Sequence, residues 1–164
     1  MNICQKCRSC CKFKKEHEYF APVFTKEEVK RINADKNLFK IKGHGVYQIK
    51  LVPSKFDKEI LVCPFLDEDT HLCKIYDKRP FDCKFWPFIF MKDKDKIQLG
   101  CFKKDYCMIT ENMSEKQYQI YLNSIFDWIQ SNKIMKLIKK YPDLIWEKEE
   151  DVVVLKEFSS DSLV

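Results

Sequence analysis

Glycine is scarce in this chain: its 164 residues hold three, each isolated. There is no G-x-G-x-x-G, so a usual nucleotide-binding loop has nothing to be built from. Histidine is as rare, with His17, His44 and His71 scattered along the chain. No serine-nucleophile motif accompanies them, which disfavours an ordinary hydrolase. A C-x-x-x-C-x-x-C radical motif is absent, and so are low-complexity tracts. The longest apolar run, residues 85–91, is broken by Pro87 and is much too short to span a bilayer. The opening Met1-Asn2-Ile3-Cys4 lacks the apolar core of a secretory signal. These absences predict a cytoplasmic protein with no membrane segment.

What the chain has in excess is cysteine, nine residues of it. Four of them, Cys4, Cys7, Cys10 and Cys11, form a C-x-x-C-x-x-C-C cluster. Chain connectivity alone holds those sulfurs close together. Four thiolates without a cation would suffer repulsion and desolvation, and a bound metal or metal cluster removes that cost. A disulfide framework suits a small secreted domain; here the count is odd and the chain is large, so ligands are the better reading. Buried free cysteines acting as small hydrophobes are the bland alternative.

The net charge of +5 is mild, yet Lys6, Arg8, Lys12, Lys14 and Lys15 fall within residues 1–15, where there is no acid. Four thiolates around Zn(II), or around a 4Fe–4S core, leave about two negative charges that such cations would offset. Charge compensation is preferred to a nucleic-acid patch, so nucleic acid is not an expected partner. A protein partner or a protein substrate is.

The expected fold class is α+β: a small cysteine-rich, metal-bound region with short strands and hairpins over residues 1–109, then amphipathic helices over 110–164 packing on the same domain. Thr25-Lys26-Glu27-Glu28 has capping-box spacing and should open a helix over 25–34, with Val29 and Ile32 inward. Residues 35–45 read as a polar connection. Strands are expected at 46–52, ending at Pro53, and at 59–63, the latter pairing with 72–76 across Asp67-Glu68-Asp69. Arg79-Pro80 suits a helix start. Residues 88–91 and 97–101 flank a charged hairpin tip. Ser114-Glu115-Lys116-Gln117 is a second capping box, followed by Tyr118, Tyr121, Leu122, Ile125, Trp128 and Ile129 at helical spacing. The pattern falters at 131–132, resumes with Ile134, Leu137 and Ile138, and meets Pro142. Residues 143–150 read as a short helix, 152–158 as a terminal strand, and 159–164 as a frayed tail.

The remaining cysteines are Cys63, Cys73, Cys83, Cys101 and Cys107. Their contexts are Cys63-Pro64-Phe65-Leu66, Cys73-Lys74-Ile75-Tyr76, Arg79-Pro80 and Cys83-Lys84-Phe85-Trp86-Pro87. With the N-terminal cluster, and with Cys101 after a short insert, these spaced elements resemble the C-x-x-C-x-x-C-C family of zinc- or iron-chelating domains over about residues 4–102. The chain departs from the family pattern at Arg8 and Trp86 and at Lys84, where lysine keeps the usual arginine's charge without its bidentate pairing. Cys107 is extra.

The resemblance implies eight metal ligands: Cys4, Cys7, Cys10, Cys11, Cys63, Cys73, Cys83 and Cys101. They suit two tetrahedral zinc sites, one 4Fe–4S cluster with spare thiols, or two clusters. Adjacent Cys10 and Cys11 point apart if extended, so they are expected to serve different sites, with Cys4, Cys7 and one of the pair joining a downstream cysteine. His71, two residues before Cys73, is a further candidate. The span from 12 to 62 is then one that the metal closes. The family includes flagellin lysine N-methylase, which is similar in its cysteine motifs and linked to an iron–sulfur cluster. That implies a cysteine-ligated 4Fe–4S cluster with a redox or methyl-transfer role. The alternative is a structural zinc-binding interaction module without catalysis. No catalytic residue is assigned, and enzymatic activity is left open.

Overall fold

The computed structural model describes residues 9–103, 107–131 and 133–159. Helices and strands are mixed, as expected of an α+β protein, and the chain packs as two compact units that part between Trp86 and Pro87. This division lies upstream of the 109/110 boundary drawn from the cysteines, because residues 87–103 pair with the far C-terminus, as set out below.

The first unit begins with β1 (Lys12–Lys14) after a 3-10 turn at Ser9–Cys11. Next come β2 (Val23–Thr25) and helix α1 (Lys26–Ile32). The capping box forms as expected: Glu28 N donates to Thr25 Oγ1 at 3.3 Å, and Thr25 N donates to Glu28 Oε2 at 2.9 Å. Asn33 ends the helix in the left-handed conformation (φ 50°), which asparagine tolerates better than most residues. Residues 39–43 were expected in a polar connection but form β3 (Phe39–Gly43), which turns back through residues 44–45 into β4 (Val46–Ile49). The alternation Phe39-Lys40-Ile41-Lys42 is a strand signal, though a short one, and Ile41 is 80% exposed. The antiparallel sheet runs β2-β4-β3. Gln48, buried in it, donates from Nε2 to the carbonyls of Tyr19 and Ala21. The apolar centre is Ala21, Phe24, Phe39, Ile49 and Cys63, with Val29 and Ile32 of α1 partly buried against it. Phe24 meets Phe39 edge-on at 5.2 Å, a favourable aromatic geometry.

A second small sheet joins distant residues. β6 (Ile60–Val62) is flanked by β1 on one side and β5 (Val52–Pro53) on the other. Both edges of β6 are taken, so the expected pairing of 59–63 with 72–76 does not occur; one bridge, Leu66 to Cys73, stands in its place. Helix α2 (Phe81–Phe85) closes the unit, with Pro80 at its N-cap. Phe81 and Phe85 are buried one turn apart with rings stacked at 4.9 Å.

The second unit is built on the expected charged hairpin, β7 (Phe88–Asp93) and β8 (Lys96–Phe102). The terminal strand also forms, but as β10 (Val152–Ser159) pairing antiparallel with β8. Residues 143–150 do not form a helix. A single 3-10 turn at Pro142–Leu144 leads into β9 (Trp146–Glu147), parallel to β7, so the helical turn started by Pro142 yields to sheet pairing at once. Helices α3 (Met108–Glu111), α4 (Glu115–Gln130) and α5 (Lys133–Lys140) lie between the strands in sequence. The capping box at Ser114 and Gln117 is formed, and Leu122, Ile125, Ile129, Ile134 and Ile138 are buried. Residues 160–164, expected to fray, lie outside the described residues. No helix among the described residues is long and apolar enough to cross a membrane.

Candidate metal centre

Cys10, Cys63, Cys73 and Cys83 lie within electrostatic reach in the first unit: beyond the effect of burial, Cys73 and Cys10 add to the raised pKa of Cys63, Cys10 adds to that of Cys73, and all three add to that of Cys83. Each arrives by a different backbone device. The β1–β6 ladder pairs Lys12 with Val62, and one step on, Cys63 N donates to Cys11 O at 3.0 Å. That register sets the N-terminal cysteine pair beside Cys63. Cys73 is brought in by its bridge to Leu66 and by Lys74 N donating to Phe65 O at 2.8 Å.

Cys83 rides on α2, which two carboxylates tie to the elements beside it. Glu28 Oε1 accepts from Phe81 N at 2.7 Å, and Asp82 Oδ2 accepts from Val23 N at 3.1 Å. Glu28 was read as a capping residue only. Its second duty joins positions far apart in the chain, a pairing that no local spacing reveals.

Burial and nearby backbone amides act on these sulfurs in opposite directions. Burial pushes the Cys63 thiol up to about 12, while the backbone amides of Phe65 and Leu66, the second and third residues after it, pull against that rise. Burial likewise raises Cys73, opposed by the Ile75 amide and by the positive charge of Arg79. Arg79 is held with its guanidinium 3.9 Å from the Tyr76 ring centroid and its Nε donating to Tyr76 O at 3.0 Å. Cys83 is raised well above its ordinary value, first by burial and then by Cys10 and Asp82. Amide donors favour the anionic form of sulfur, and low polarity opposes it. A cation at the sulfurs resolves that conflict by deprotonating the thiols and binding them.

Cys10 and Cys83 also line a cavity of about 20 Å³, walled by Phe13, Phe20, Pro22 and Trp86, with Asp82 beside them. That is room for about one small ion or water. Among the described residues, no three His, Cys, Asp or Glu side chains are drawn tightly enough together to enclose an ion. The donor set is nevertheless soft and cysteine-rich, which suits zinc or iron.

The other expected ligands are placed as follows. Cys4 and Cys7 lie outside the described residues. Cys11 packs against the apolar centre around Phe24 and Phe39. Cys101, in the second unit, is buried; its sulfur accepts from Tyr118 Oη at 3.6 Å, and its thiol donates to Phe102 O at 3.3 Å. Burial raises its pKa and Cys107 raises it further. His71 adopts a positive φ of 61° between Thr70 and Leu72.

No curated protein and no solved structure matches this chain. A family model does: the CxxCxxCC family, described as "Putative zinc- or iron-chelating domain", matches residues 3–119. That span takes in all the thiols described above, and the chain belongs to the CxxCxxCC family of zinc- or iron-chelating domains.

Proposed function

We propose that the first unit carries one cysteine-ligated metal centre held by Cys10, Cys63, Cys73 and Cys83, with Cys4 and Cys7 as further donors from the N-terminal cluster. The observation that carries this reading is the convergence of cysteines from separate parts of the unit: Cys10 and Cys83 line one cavity, Cys63 N donates to Cys11 O beside Cys10, and the Leu66 bridge brings Cys73 alongside residues 63–66. Cys11 and Cys101 are left out of this centre, because Cys11 packs partly buried against the apolar centre and Cys101 is buried with its sulfur hydrogen-bonded to Tyr118 and Phe102.

A 4Fe–4S cluster is the occupant we favour, on the likeness of the cysteine motifs to those of flagellin lysine N-methylase. Such a cluster supplies one-electron redox chemistry, and a redox or methyl-transfer-linked role would follow. The protein's own residues do the rest. Phe13, Phe20 and Trp86 limit water access at Cys10 and Cys83. The Arg79 cation offsets the negative charge near Cys73. A single structural zinc in a non-catalytic interaction module is the second reading, favoured by the cavity of about 20 Å³, which suits one ion better than a cluster.

Anaerobic purification with elemental analysis and an absorbance spectrum tests both. A brown protein with about four irons and four sulfides supports the cluster, and a colourless one with about one zinc supports the second reading. Single Cys→Ser changes at positions 10, 63, 73 and 83 should each strip or destabilise the metal, while Cys11→Ser and Cys101→Ser retain it. Full metal content in both Cys63→Ser and Cys83→Ser would overturn the assignment.

A further inference from the structure

The first unit contains a second concavity that the thiols do not use. It has a volume of about 420 Å³ and lies against α1 and the β3–β4 hairpin. Its apolar lining is Val29, Ala34, Phe39 and Tyr47, and Lys26, Lys30 and Lys36 stand around it. The volume falls in the range of sites that take small organic ligands, and the mixture of apolar lining with a few charged groups is typical of them.

The charge here is positive on balance. Residues 26–48, which hold the whole lining, contain Lys26, Lys30, Arg31, Lys36, Lys40 and Lys42 against Glu27, Glu28 and Asp35, and Glu28 is taken up by the amides of Thr25 and Phe81. Asp35 is engaged in its own turn, where its Oδ1 accepts from Asn37 N at 2.9 Å. Among the described residues, none of the three lining lysines has an ion-pair partner. Three ammonium groups gathered around one apolar hollow repel one another, and an anion placed between them would relieve that repulsion. A neutral ligand would leave it in place, and a bare inorganic anion would leave the apolar lining wet.

We infer that this hollow binds a small organic anion, a carboxylate or phosphate ester with an aromatic or aliphatic body, its charge among Lys26, Lys30 and Lys36 and its body against Val29, Ala34, Phe39 and Tyr47. The site has a connection to the rest of the unit. Lys26, Val29, Lys30 and Asn33 follow one face of α1, while Glu28 and Arg31 on the other side meet the backbone of residues 78–81. An occupant would therefore press on the helix that holds α2.

The inference does not depend on which metal the protein carries. Its test is calorimetric titration of the full-length protein, purified with its metal, against phenyl phosphate and octanoate, with inorganic phosphate and octanol as controls. At least one organic anion should bind saturably, about tenfold or more tighter than either control. A Lys26→Gln, Lys30→Gln, Lys36→Gln triple variant, altered only at exposed positions, should lose that binding with its circular dichroism and metal content unchanged. Ala34→Trp, which fills the hollow, should lose it too. The inference is overturned if neither anion saturates, if octanol or inorganic phosphate binds as tightly, or if the folded triple variant binds like the parent protein.

Discussion

Glu28 is the residue whose loss should be felt furthest from its own position. It is 9% exposed and accepts two backbone N–H bonds, from Thr25 at 2.9 Å within its own capping box and from Phe81 at 2.7 Å at the start of α2. Glu28→Ala removes both acceptors and leaves two amides short of a partner in a largely water-free place. Each unsatisfied buried donor costs about 1–3 kcal/mol, and partial relaxation toward water brings the expected total to about 2–4 kcal/mol. For a unit of this size that corresponds to a fall in Tm of about 10 °C or more. Glu28→Gln keeps the shape and one good acceptor, so its loss should be roughly half as large. The damage should also reach the thiols, because α2 carries Cys83. Urea melts of the parent, Glu28→Ala and Glu28→Gln proteins give the first quantity, and chelator competition gives the second. Stability of Glu28→Ala within about 0.5 kcal/mol of the parent would refute the clamp. So would a large destabilisation with metal affinity unchanged, since Glu28 would then serve only its own helix.

Two further changes probe the second unit. Gly100 sits opposite Val154 on β10 and Ile89 on β7, and a Cβ there would collide with Val152 Cγ1 and come within 2.9 Å of Met91 Cε; Gly100→Ala should cost about 1–3 kcal/mol through overpacking, read as a lower urea midpoint at unchanged slope. Burial, with added repulsion from Asp151 and Glu150, raises the carboxyl pKa of Glu149 above 4.5. A carboxyl with a raised folded-state pKa favours the folded protein at pH values below its unfolded pKa, and loses that advantage as pH rises through the folded value. Glu149→Gln should therefore raise Tm at pH 7 and leave it nearly unchanged at pH 4, as differential scanning calorimetry at the two pH values would show.

Local signals were legible where they are complete within a few residues. Both capping boxes, the charged hairpin at 92–96 and the terminal strand could be read because each rests on spacing or alternation over less than ten residues. The elements missed are those decided by a distant partner. β3 is the exception: its Phe39-Lys40-Ile41-Lys42 alternation is a strand signal and its partner β4 follows after two residues. β9 is two residues long and exists through its parallel pairing with β7. The division at Trp86 was hidden for the same reason, since β8 finds its second neighbour in β10, some fifty residues on. At the candidate centre the cysteine types and contexts were plain, but adjacent Cys10 and Cys11 differ only in what they meet: Cys10 the other thiols, Cys11 the apolar centre. Arg79 was visible as a motif residue and Asp82 was not, and their work, a cation near Cys73 and an anchor to Val23, is tertiary.

The span from 12 to 62 was expected to be closed by metal, yet the backbone closes it. The β1–β6 ladder, three residue pairs long, joins its two ends directly. Inside it lies a folded unit with its own sheet, helix and apolar centre. Cys63 belongs to that apolar centre as well as to the thiol group, so one residue links core packing to the candidate ligands. The bridge at Leu66 and Cys73 and the two carboxylate anchors on α2 add further constraints that use no sulfur. In a small zinc finger the metal supplies the folding energy outright, because nothing else holds the ligands together. Here hydrogen bonds and an apolar centre hold the segments that carry Cys10, Cys63, Cys73 and Cys83. On the proposed reading, folding would then meet part of the entropy of gathering the ligands, and more of a metal's binding energy would be left for affinity.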